Sequence, residues 1–474
     1  MPDARTLAHE AVEDGSEKLI ETCHAIWETP ELGLHEHESS ATLVEVLEGA
    51  GFDVETGVGD MSTAFVAEYG EGSPVIGILG EFDALPGLSQ GVSAERDPVE
   101  PNGPGHGCGH NLYGTAAAWG AIGAAAAIDA GEIEGTVRCY GCPAEETLVG
   151  KVFMARDGAF DDLDAAITWH PGDLTGPKRG SSLALDSIQF RFEGTAAHAG
   201  GSPESGRSAL DGVELLNAGV ERMREHIPEK ARIHYSITDG GGAPNVVPPE
   251  AEVWYFVRAP DRAEVDRLTD WVTDIAEAAA KMTHTEVERR YITGCYDFLV
   301  NDAVTDVIEA NLEAAGPIEF DDEERAFAAD LRETYDEERI EGRLEKYPEE
   351  VAAEIEGEPL YGAPLPATDE GEVSGGSTDV GDVSWIVPTG QFRMATWPVG
   401  TPAHSWQAVA ANGSTGPTGA VTAAKVLAGT TVDLLSDAES LERAREEFAD
   451  AAGDAYENTL PEETEPPFDV TVSE

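Results

Sequence analysis

The pattern of apolar and polar positions up to about residue 184 predicts alternating strands and helices. The segments "TAFVAEYG" (63–70) and "SPVIGILGEFDALPG" (73–87) are predicted strands, and the second is almost entirely apolar, as expected inside a covered sheet. An Ala/Gly-rich helix from about 112 to 130 follows, and then a strand, a helix and a strand up to residue 172. Such alternation is typical of an α/β layer structure.

The pattern changes near residue 182, where "SLALDSIQFRFEGTA" alternates with a period of two residues. That period is typical of an antiparallel strand with one exposed face. The order strand, helix, strand, strand, helix, strand continues to about residue 297, which is the ferredoxin-like order. We therefore predict an α+β domain at 185–297, inserted between parts 1–184 and 298–474 of a larger α/β domain, with a charged surface excursion at 317–372.

The charge balance is strongly acidic, with 92 Asp and Glu against 29 Lys and Arg and a formal net charge of −63. A field of this sign repels nucleic acid and anionic lipid, which excludes both as partners. Carboxylates spread along a whole chain are typical of proteins that stay hydrated in concentrated salt, where screening relieves their repulsion. With no recognisable signal peptide or membrane span, the sequence predicts a halophilic, cytoplasmic protein.

The five cysteines do not indicate a disulfide framework, because their number is odd and nothing indicates secretion. Cys139 and Cys142 form a C-x-x-C, a spacing that also occurs in redox and zinc motifs. They lie in a predicted strand, and the chain has no second pair of this kind. We interpret them as small buried apolar side chains.

Metal-ligand side chains fall at the ends of four successive α/β strands, where open sheets bind their ligands. They are His106, Cys108 and His110 in the glycine-rich loop "GPGHGCGHN", Glu145 and Glu146, His170, and His404. Thiolate, imidazole and carboxylate together suit Zn²⁺, or Mn²⁺ where oxygen and nitrogen dominate. Adjacent glutamates on a strand point to opposite sides, so one can bind metal while the other acts as general base.

Several motifs resemble those of a known family. They are "GEFDALPGLSQ", "GHGCGHNLYGTA", "PAEET", "TWHPGD", "GTAAHAGGSPESGRSALD", "GGGAPNVVP", "STDVGDVSW" and "GTPAHSW". From about residue 15 to 430 the chain resembles the aminoacylase/carboxypeptidase family of dinuclear metallopeptidases. Its amidohydrolase branch, and there the hydrolases of aminobenzoyl-glutamate, are the most similar. The resemblance implies a mixed-sheet, zinc-peptidase-like catalytic domain, and makes the ferredoxin-like insertion a lid and dimerisation domain.

The resemblance also implies a set of metal ligands. Two divalent ions, Zn or Mn, would share Cys108 as a bridging ligand. Glu146 and His404 would complete one ion, and His110 and His170 the other. The sequence departs from the peptidase branch at Glu81, where that branch has a metal-binding histidine.

Further roles follow from the same resemblance. Glu145 would be the general base, and His198 would reach the active site of a partner subunit to stabilise the oxyanion. Asn245 would contact the substrate from the lid. Arg207 is either a clamp for a substrate carboxylate or part of a structural salt bridge.

Two residues are expected behind the ligands. Asp83 would orient a ligand imidazole through a hydrogen bond. His106 would also lie behind the ligands and would not bind metal itself.

The predicted function is that of a metal-dependent amidohydrolase, which releases an amino acid from a small N-acyl or aminobenzoyl amino acid such as aminobenzoyl-glutamate. A homodimer formed through the lid is expected. Two alternatives remain open: a dipeptidase or aminoacylase of the same fold, and a metal-binding interaction protein without turnover. The intact Glu145 argues against the last, because a scaffold needs no general base.

Overall fold

The computed structural model describes residues 3–452 and 456–470. Up to residue 183 the chain forms α1 (Ala4–Asp14), α2 (Ser16–Glu28), α3 (His37–Gly49), β1 (Asp53–Thr56), β2 (Phe65–Glu71), β3 (Val75–Glu81), α4 (His110–Asp129), β4 (Gly135–Cys142), α5 (Gly150–Arg156), β5 (Ala165–Gly172) and β6 (Gly176–Lys178). The alternation of strands and helices predicted for this part is present.

The following segment forms β7 (Ala184–Glu193), α6 (Ala209–Met223), β8 (Arg232–Asp239), β9 (Glu250–Ala259), α7 (Arg262–Thr283) and β10 (Glu286–Cys295). This is the ferredoxin-like order, and its strands form an antiparallel sheet in the order β10-β7-β9-β8. Both helices pack on one face of that sheet around a separate apolar core. β8 lies at the edge of the sheet.

The last part forms α8 (Asp302–Ala315), α9 (Asp322–Arg332), α10 (Glu337–Leu344), α11 (Glu349–Glu356), α12 (Val380–Ser384), β11 (Thr389–Ala395), α13 (Trp406–Asn412), α14 (Gly416–Ser436) and α15 (Ala438–Ala451). Within the described residues, the main sheet has the order β1-β2-β4-β3-β5-β11-β6. The four strands β4, β3, β5 and β11 are parallel, and β1, β2 and β6 run antiparallel at the two sides. The carboxyl ends of the parallel strands therefore meet at one edge.

The Ala/Gly-rich helix α4 is buried between the main sheet and α14, as its composition predicts. A Cβ atom at Gly114 would lie 2.7 Å from the carbonyl oxygen of Glu81, and one at Gly120 would lie 2.6 Å from Leu427. Only glycine allows this approach. The helix begins earlier than predicted, so His110 is its first residue and does not lie in the glycine-rich loop.

The excursion at 317–372 contains the charged helices α9, α10 and α11. It is more than a surface feature, because α10 packs Leu344 against Leu174 and Val399. Arg343 of α10 also binds the Asp173 carboxylate through two nitrogens, at 2.8 Å for the shortest contact. The excursion therefore covers the end of β5, beside His170. Among the described helices, none is both long and apolar enough to span a bilayer.

Candidate metal centre and active site

The glycine-rich loop and His404 are held together by their backbones. The N–H of His404 donates to the carbonyl oxygen of Gly107 at 2.9 Å. A Cβ atom at Gly107 would lie 2.5 Å from the Leu88 Cδ1 atom and 3.4 Å from the Cα of His404, so a larger residue would displace the Leu88 side chain. Gly109 has φ of +81°, which turns the chain into α4. These contacts bring together side chains that are about 300 residues apart in sequence.

Glu145 and Glu146 diverge for a reason other than the one predicted. β4 ends at Cys142, and residues 145–147 form a single 3₁₀ turn instead of continuing the strand. The turn is flanked by Ala144 and Leu148, both left-handed with φ of 55° and 59°. The N–H of Glu146 donates to Asp83 Oδ2 at 2.9 Å. The turn, and not the alternation of a strand, directs the two carboxylates to different partners.

Each of two histidines donates one ring N–H to the protein and has its other ring nitrogen beside the other potential ligand atoms. His110 donates Nδ1–H to Asp83 Oδ1 at 2.7 Å, and His170 donates Nδ1–H to the carbonyl oxygen of Pro171 at 2.6 Å. The Nε2 atom of His170 lies 3.4 Å from Cys108 Sγ. Imidazoles that bind a metal through one nitrogen commonly donate the N–H of the other nitrogen to a carboxylate or a backbone carbonyl.

The potential ligand atoms form two groups that share one sulfur. Cys108, His110 and His170 form one, Cys108, Glu146 and His404 the other, and within each the ligand atoms lie within 4.8 Å of one another. In the second group, His404 Nε2 is 3.5 Å from Glu146 Oε2. His110 Nε2 and Glu146 Oε1 are buried and have no hydrogen-bond partner in the described part of the chain. Buried nitrogen and oxygen atoms without a hydrogen-bond partner are available to bind a cation.

The pKa shifts of the acidic groups in the cluster also favour a cation at this site. Burial raises the pKa of Glu146 to about 7. Burial, and then the nearby carboxylates of Glu81 and Asp379, raise the pKa of Glu145 well above its usual range. Burial and the charge of Glu146 also raise the pKa of the Cys108 thiol. Crowded acidic groups that resist ionisation would be stabilised as anions by divalent ions.

A buried lysine beneath the cluster was not predicted. Lys151 in α5 is fully buried, and its Nζ lies 2.7 Å from Glu81 Oε1 and 2.6 Å from Asp379 Oδ1. Glu81 Oε2 in turn lies 3.3 Å from His110 Nε2. Glu81, His110 and Glu145 make a third group of adjacent ligand-type atoms. Asp379 lies within the string "STDVGDVSW". A lysine inside an otherwise apolar helix is the sequence signal that could have revealed these contacts.

His106 is buried, and its Nε2–H donates to the carbonyl oxygen of Ile26 at 3.1 Å. It belongs to none of the groups of adjacent ligand atoms found in the described residues. Its backbone carbonyl accepts from the Asn412 side chain at 2.7 Å. His106 therefore anchors the glycine-rich loop to α2 and α13.

The lid residues lie together but away from the ligand cluster. The ring Nδ1 of His198 accepts N–H groups of Gly200 and Gly201, each at 3.1 Å. The backbone next to it bonds to Asn245, since Ala199 N–H donates to the Asn245 carbonyl at 2.9 Å. Arg207 donates to nearby backbone carbonyls. None of His198, Arg207 and Asn245 is among the described residues that line the cavity at the cluster.

That cavity has a volume of about 370 Å³. Cys108, Glu145, Glu146, His170 and His404 line it together with Tyr113, Phe256 and several cationic side chains. The cations are Lys178, Arg258 and Arg393, and none of them was predicted. Cys139 and Cys142 are buried, free and outside this cavity, as predicted for apolar side chains.

Comparison with known proteins defines the family. Residues 184–284 match the peptidase dimerisation domain of the M20 group. The fold resembles that of a dinuclear metal binding peptidase of the M20 family from Bacillus subtilis, with a TM-score of 0.56, 18% identity, and coverage of 90% of this chain and 99% of that one. The chain is 42% identical to a p-aminobenzoyl-glutamate hydrolase subunit of Escherichia coli (strain K12), over 92% of this chain and 93% of that protein. The chain belongs to the M20 family.

Membership of the M20 family confirms the predicted fold class and the prediction of an enzyme that hydrolyses carbon–nitrogen amide bonds. A second relative, the Xaa-Arg dipeptidase of Mus musculus, is 31% identical over 59% of this chain and 64% of that protein. The resemblance stated from the sequence motifs is therefore confirmed.

Proposed function

We propose that this M20 protein is a metal-dependent amidohydrolase, which releases an amino acid from an N-acyl or aminobenzoyl amino acid similar to aminobenzoyl-glutamate. One observation carries the proposal: Cys108 belongs to two groups of adjacent ligand atoms. The similarity to the Escherichia coli p-aminobenzoyl-glutamate hydrolase chain, along 93% of that protein, supports the substrate class.

Two divalent ions, Zn or Mn, would be held by five side chains. Cys108 would bridge them, with Glu146 and His404 at one ion and His110 and His170 at the other. The donor set fits, because it combines one sulfur, three imidazole nitrogens and a carboxylate, with buried atoms free to bind. When bound, the ions would polarise the amide carbonyl and make water a better nucleophile.

The side chains of this chain would then perform the proton transfers. Glu145 lines the cavity, and its Oε2 lies 4.0 Å from His110 Nε2, so its carboxylate stands beside the ligands without being enclosed by them. We assign it as the base that takes a proton from water and gives it to the leaving amine.

The lid would complete the site from a second copy of the chain. His198 and Asn245 are adjacent in the lid, and Arg207 is exposed nearby. β8, at the edge of the lid sheet, exposes Tyr235 and Ile237, which suits pairing with that second copy. We propose a homodimer in which His198 stabilises the oxyanion in the partner's site, Asn245 contacts the substrate, and Arg207 clamps a carboxylate.

A panel of substrates and a metal analysis test the proposal. Aminobenzoyl-glutamate, N-acetyl amino acids and dipeptides would be assayed with Zn²⁺ or Mn²⁺ at high salt, and we expect the first to be hydrolysed with the highest kcat/KM. Preference for dipeptides would favour the second candidate, a dipeptidase, which the Xaa-Arg dipeptidase relative supports. The cations that line the cavity disfavour a substrate with an arginine side chain.

Replacement of Cys108 tests whether this cysteine is a metal ligand or only a buried structural residue. In Cys108→Ala we expect the affinity for at least one of the two ions to fall by more than about tenfold, because one thiolate serves both groups. Cys295→Ala is the matched control, since Cys295 is also buried and free but lies outside the cavity. Metal content after dialysis, measured by elemental analysis, checks this. Equal metal content in the two variants would contradict the assignment of Cys108.

We further propose that the protein is halophilic and cytoplasmic. A net charge of −63 on 474 residues produces self-repulsion that concentrated salt screens more strongly than dilute buffer does. We expect the urea midpoint of unfolding to be clearly lower in dilute buffer than in molar potassium chloride. The same midpoint in both solutions would rule out dependence on salt.

A further inference from the structure

Tyr113 lies in the first turn of α4, at the wall of the cavity, and packs edge-on against two of the proposed metal-binding imidazoles. The ring centroids of Tyr113 and His110 are 5.8 Å apart at an interplanar angle of 76°. Those of Tyr113 and His170 are 5.9 Å apart at 65°. The two imidazole centroids are 6.0 Å apart, and their planes are nearly perpendicular. The three rings therefore form a triangle with nearly equal sides, and Tyr113 is the corner that carries no potential ligand nitrogen.

The sequence places a hydroxyl-bearing side chain beside each of these imidazoles. His110 and Tyr113 are three residues apart on α4, so they are neighbours on one face of the helix. Thr168 and His170 are two residues apart on β5, so their side chains leave the same face of the strand. Each element thus carries one imidazole and one hydroxyl group side by side.

A buried hydrogen bond joins the two hydroxyl groups. The side chains of Tyr113 and Thr168 are hydrogen-bonded to each other, and neither residue is more than 1% exposed. Trp169 Nε1–H donates to the Tyr113 carbonyl oxygen at 3.1 Å, so a second bond connects the same two elements. Because side chains in a protein interior are close-packed, the Tyr113 ring cannot move far without displacing an imidazole.

This hydrogen bond lies where the main sheet opens. β3 pairs with β5 as far as Ile78 and Ile167, and in the described part of the chain that pairing ends one residue before Thr168. β5 remains paired with β11 on its other side. The contact between Tyr113 and Thr168 therefore supplies a side-chain link at the point where the backbone pairing with β3 stops. The position of His170, two residues further along β5, depends on that link.

We propose that Tyr113 and Thr168 are positioning residues, which set the separation of the His110 and His170 imidazoles for one divalent ion. The inference rests on the metal centre proposed above and adds two residues that support it without binding the ion themselves. Both imidazoles belong to one group of ligand atoms, whereas His404 belongs to the other. The effect of the two hydroxyl groups should therefore be confined to one of the two ions.

Metal affinities of Tyr113→Phe and Thr168→Val test the proposal. Each substitution nearly preserves the shape of the side chain and removes one hydroxyl group, so the spacing of the imidazoles becomes less fixed. We expect each variant to bind one of its two ions about tenfold more weakly, the lower end of the loss usual for residues behind a metal ligand. The double variant should lose no more than either single variant, because the two hydroxyl groups act as one unit. Competition with a chelating dye for Zn²⁺ measures both affinities in the folded protein.

Tyr140→Phe is the matched control. Tyr140 is also buried, and its hydroxyl group donates to the Ala159 carbonyl oxygen at 2.9 Å, outside the cavity. Its replacement should change neither metal affinity. Two further backgrounds assign the affected ion. Tyr113→Phe should still weaken the remaining ion about tenfold in His404→Ala, and should have no further effect in His170→Ala.

Metal binding separates this inference from the proposed reaction. If Zn²⁺ binding follows the expected pattern but no amide is hydrolysed, the proposed reaction fails and the positioning role stands. Unchanged affinities in Tyr113→Phe and Thr168→Val, equal losses at both ions, or the same loss in Tyr140→Phe would overturn the positioning role and leave the metal centre in place. A wild-type protein that binds no divalent ion would overturn both.

Discussion

Glu145→Gln is expected to reduce kcat by about 10²- to 10⁴-fold, the contribution typical of a general base or acid, while both metal ions stay bound. The glutamine side chain has nearly the same shape but can neither accept the proton from water nor return it to the amine. Glu145 belongs to neither of the two groups that share Cys108. Metal affinity should therefore change little. Initial rates with aminobenzoyl-glutamate and elemental analysis of the same preparation measure the two effects.

Glu146→Gln is the matched control for this prediction. The two glutamates are adjacent, and the turn flanked by Ala144 and Leu148 directs them to different partners. Glu146→Gln should lower metal content as well as activity, because its carboxylate lies beside His404 Nε2. If Glu145→Gln lost metal and Glu146→Gln retained it, the assignments of the two residues would have to be exchanged.

Lys151→Met is expected to destabilise the protein by about 3–5 kcal/mol, the usual consequence of removing one partner from a buried ion pair. Lys151 is fully buried between Glu81 and Asp379, so its loss leaves two carboxylates without a cation. Methionine matches the length of the lysine side chain, which limits the effect of lost packing. The free energy of unfolding in urea, measured at molar potassium chloride, checks the prediction.

Lys425→Met provides the comparison, because Lys425 pairs with Glu13 at the surface. Such exposed pairs contribute between 0 and about 1 kcal/mol. A triple variant with Lys151→Met, Glu81→Gln and Asp379→Asn should recover part of the lost stability, since it removes the unpaired charges. Equal losses for Lys151→Met and Lys425→Met would show that the buried lysine does not hold this network together.

The ligand-type residues could be found from the sequence because they obey a topological rule. Parallel strands end at the same edge of a sheet, and the chain has polar side chains after β3, β4 and β11 and near the end of β5. Cys108, His110 and His170 needed only a correct order of strands and helices. Their positions in the structure agree with that expectation, although His110 begins a helix.

The divergence of the two glutamates could not be found in the same way. It depends on left-handed backbone at Ala144 and Leu148, and neither residue type favours that region. Tertiary contacts, including the hydrogen bond from Ala144 N–H to Glu36 Oε1 at 2.8 Å, hold the turn. A local sequence pattern carries no information about such contacts.

The cations of the cavity were missed because their position depends on strand register. Lys178 faces the site only because the short strand β6 pairs antiparallel with β11, more than 200 residues further along the chain. Arg393 faces it because β11 pairs with β5 at His170. From sequence alone, a basic residue in a strand is most simply explained by solvent exposure.

The three non-glycine residues with left-handed backbone beside the ligands have a consequence for protein engineering. Ala144, Leu148 and His404 each hold a conformation that costs about 1–3 kcal/mol in most settings. Leu148→Gly would relieve that cost, but it would also allow the Glu145 and Glu146 side chains to adopt other positions. Selecting variants of this enzyme by heat resistance alone would therefore enrich variants with low kcat, so activity must be measured in the same screen.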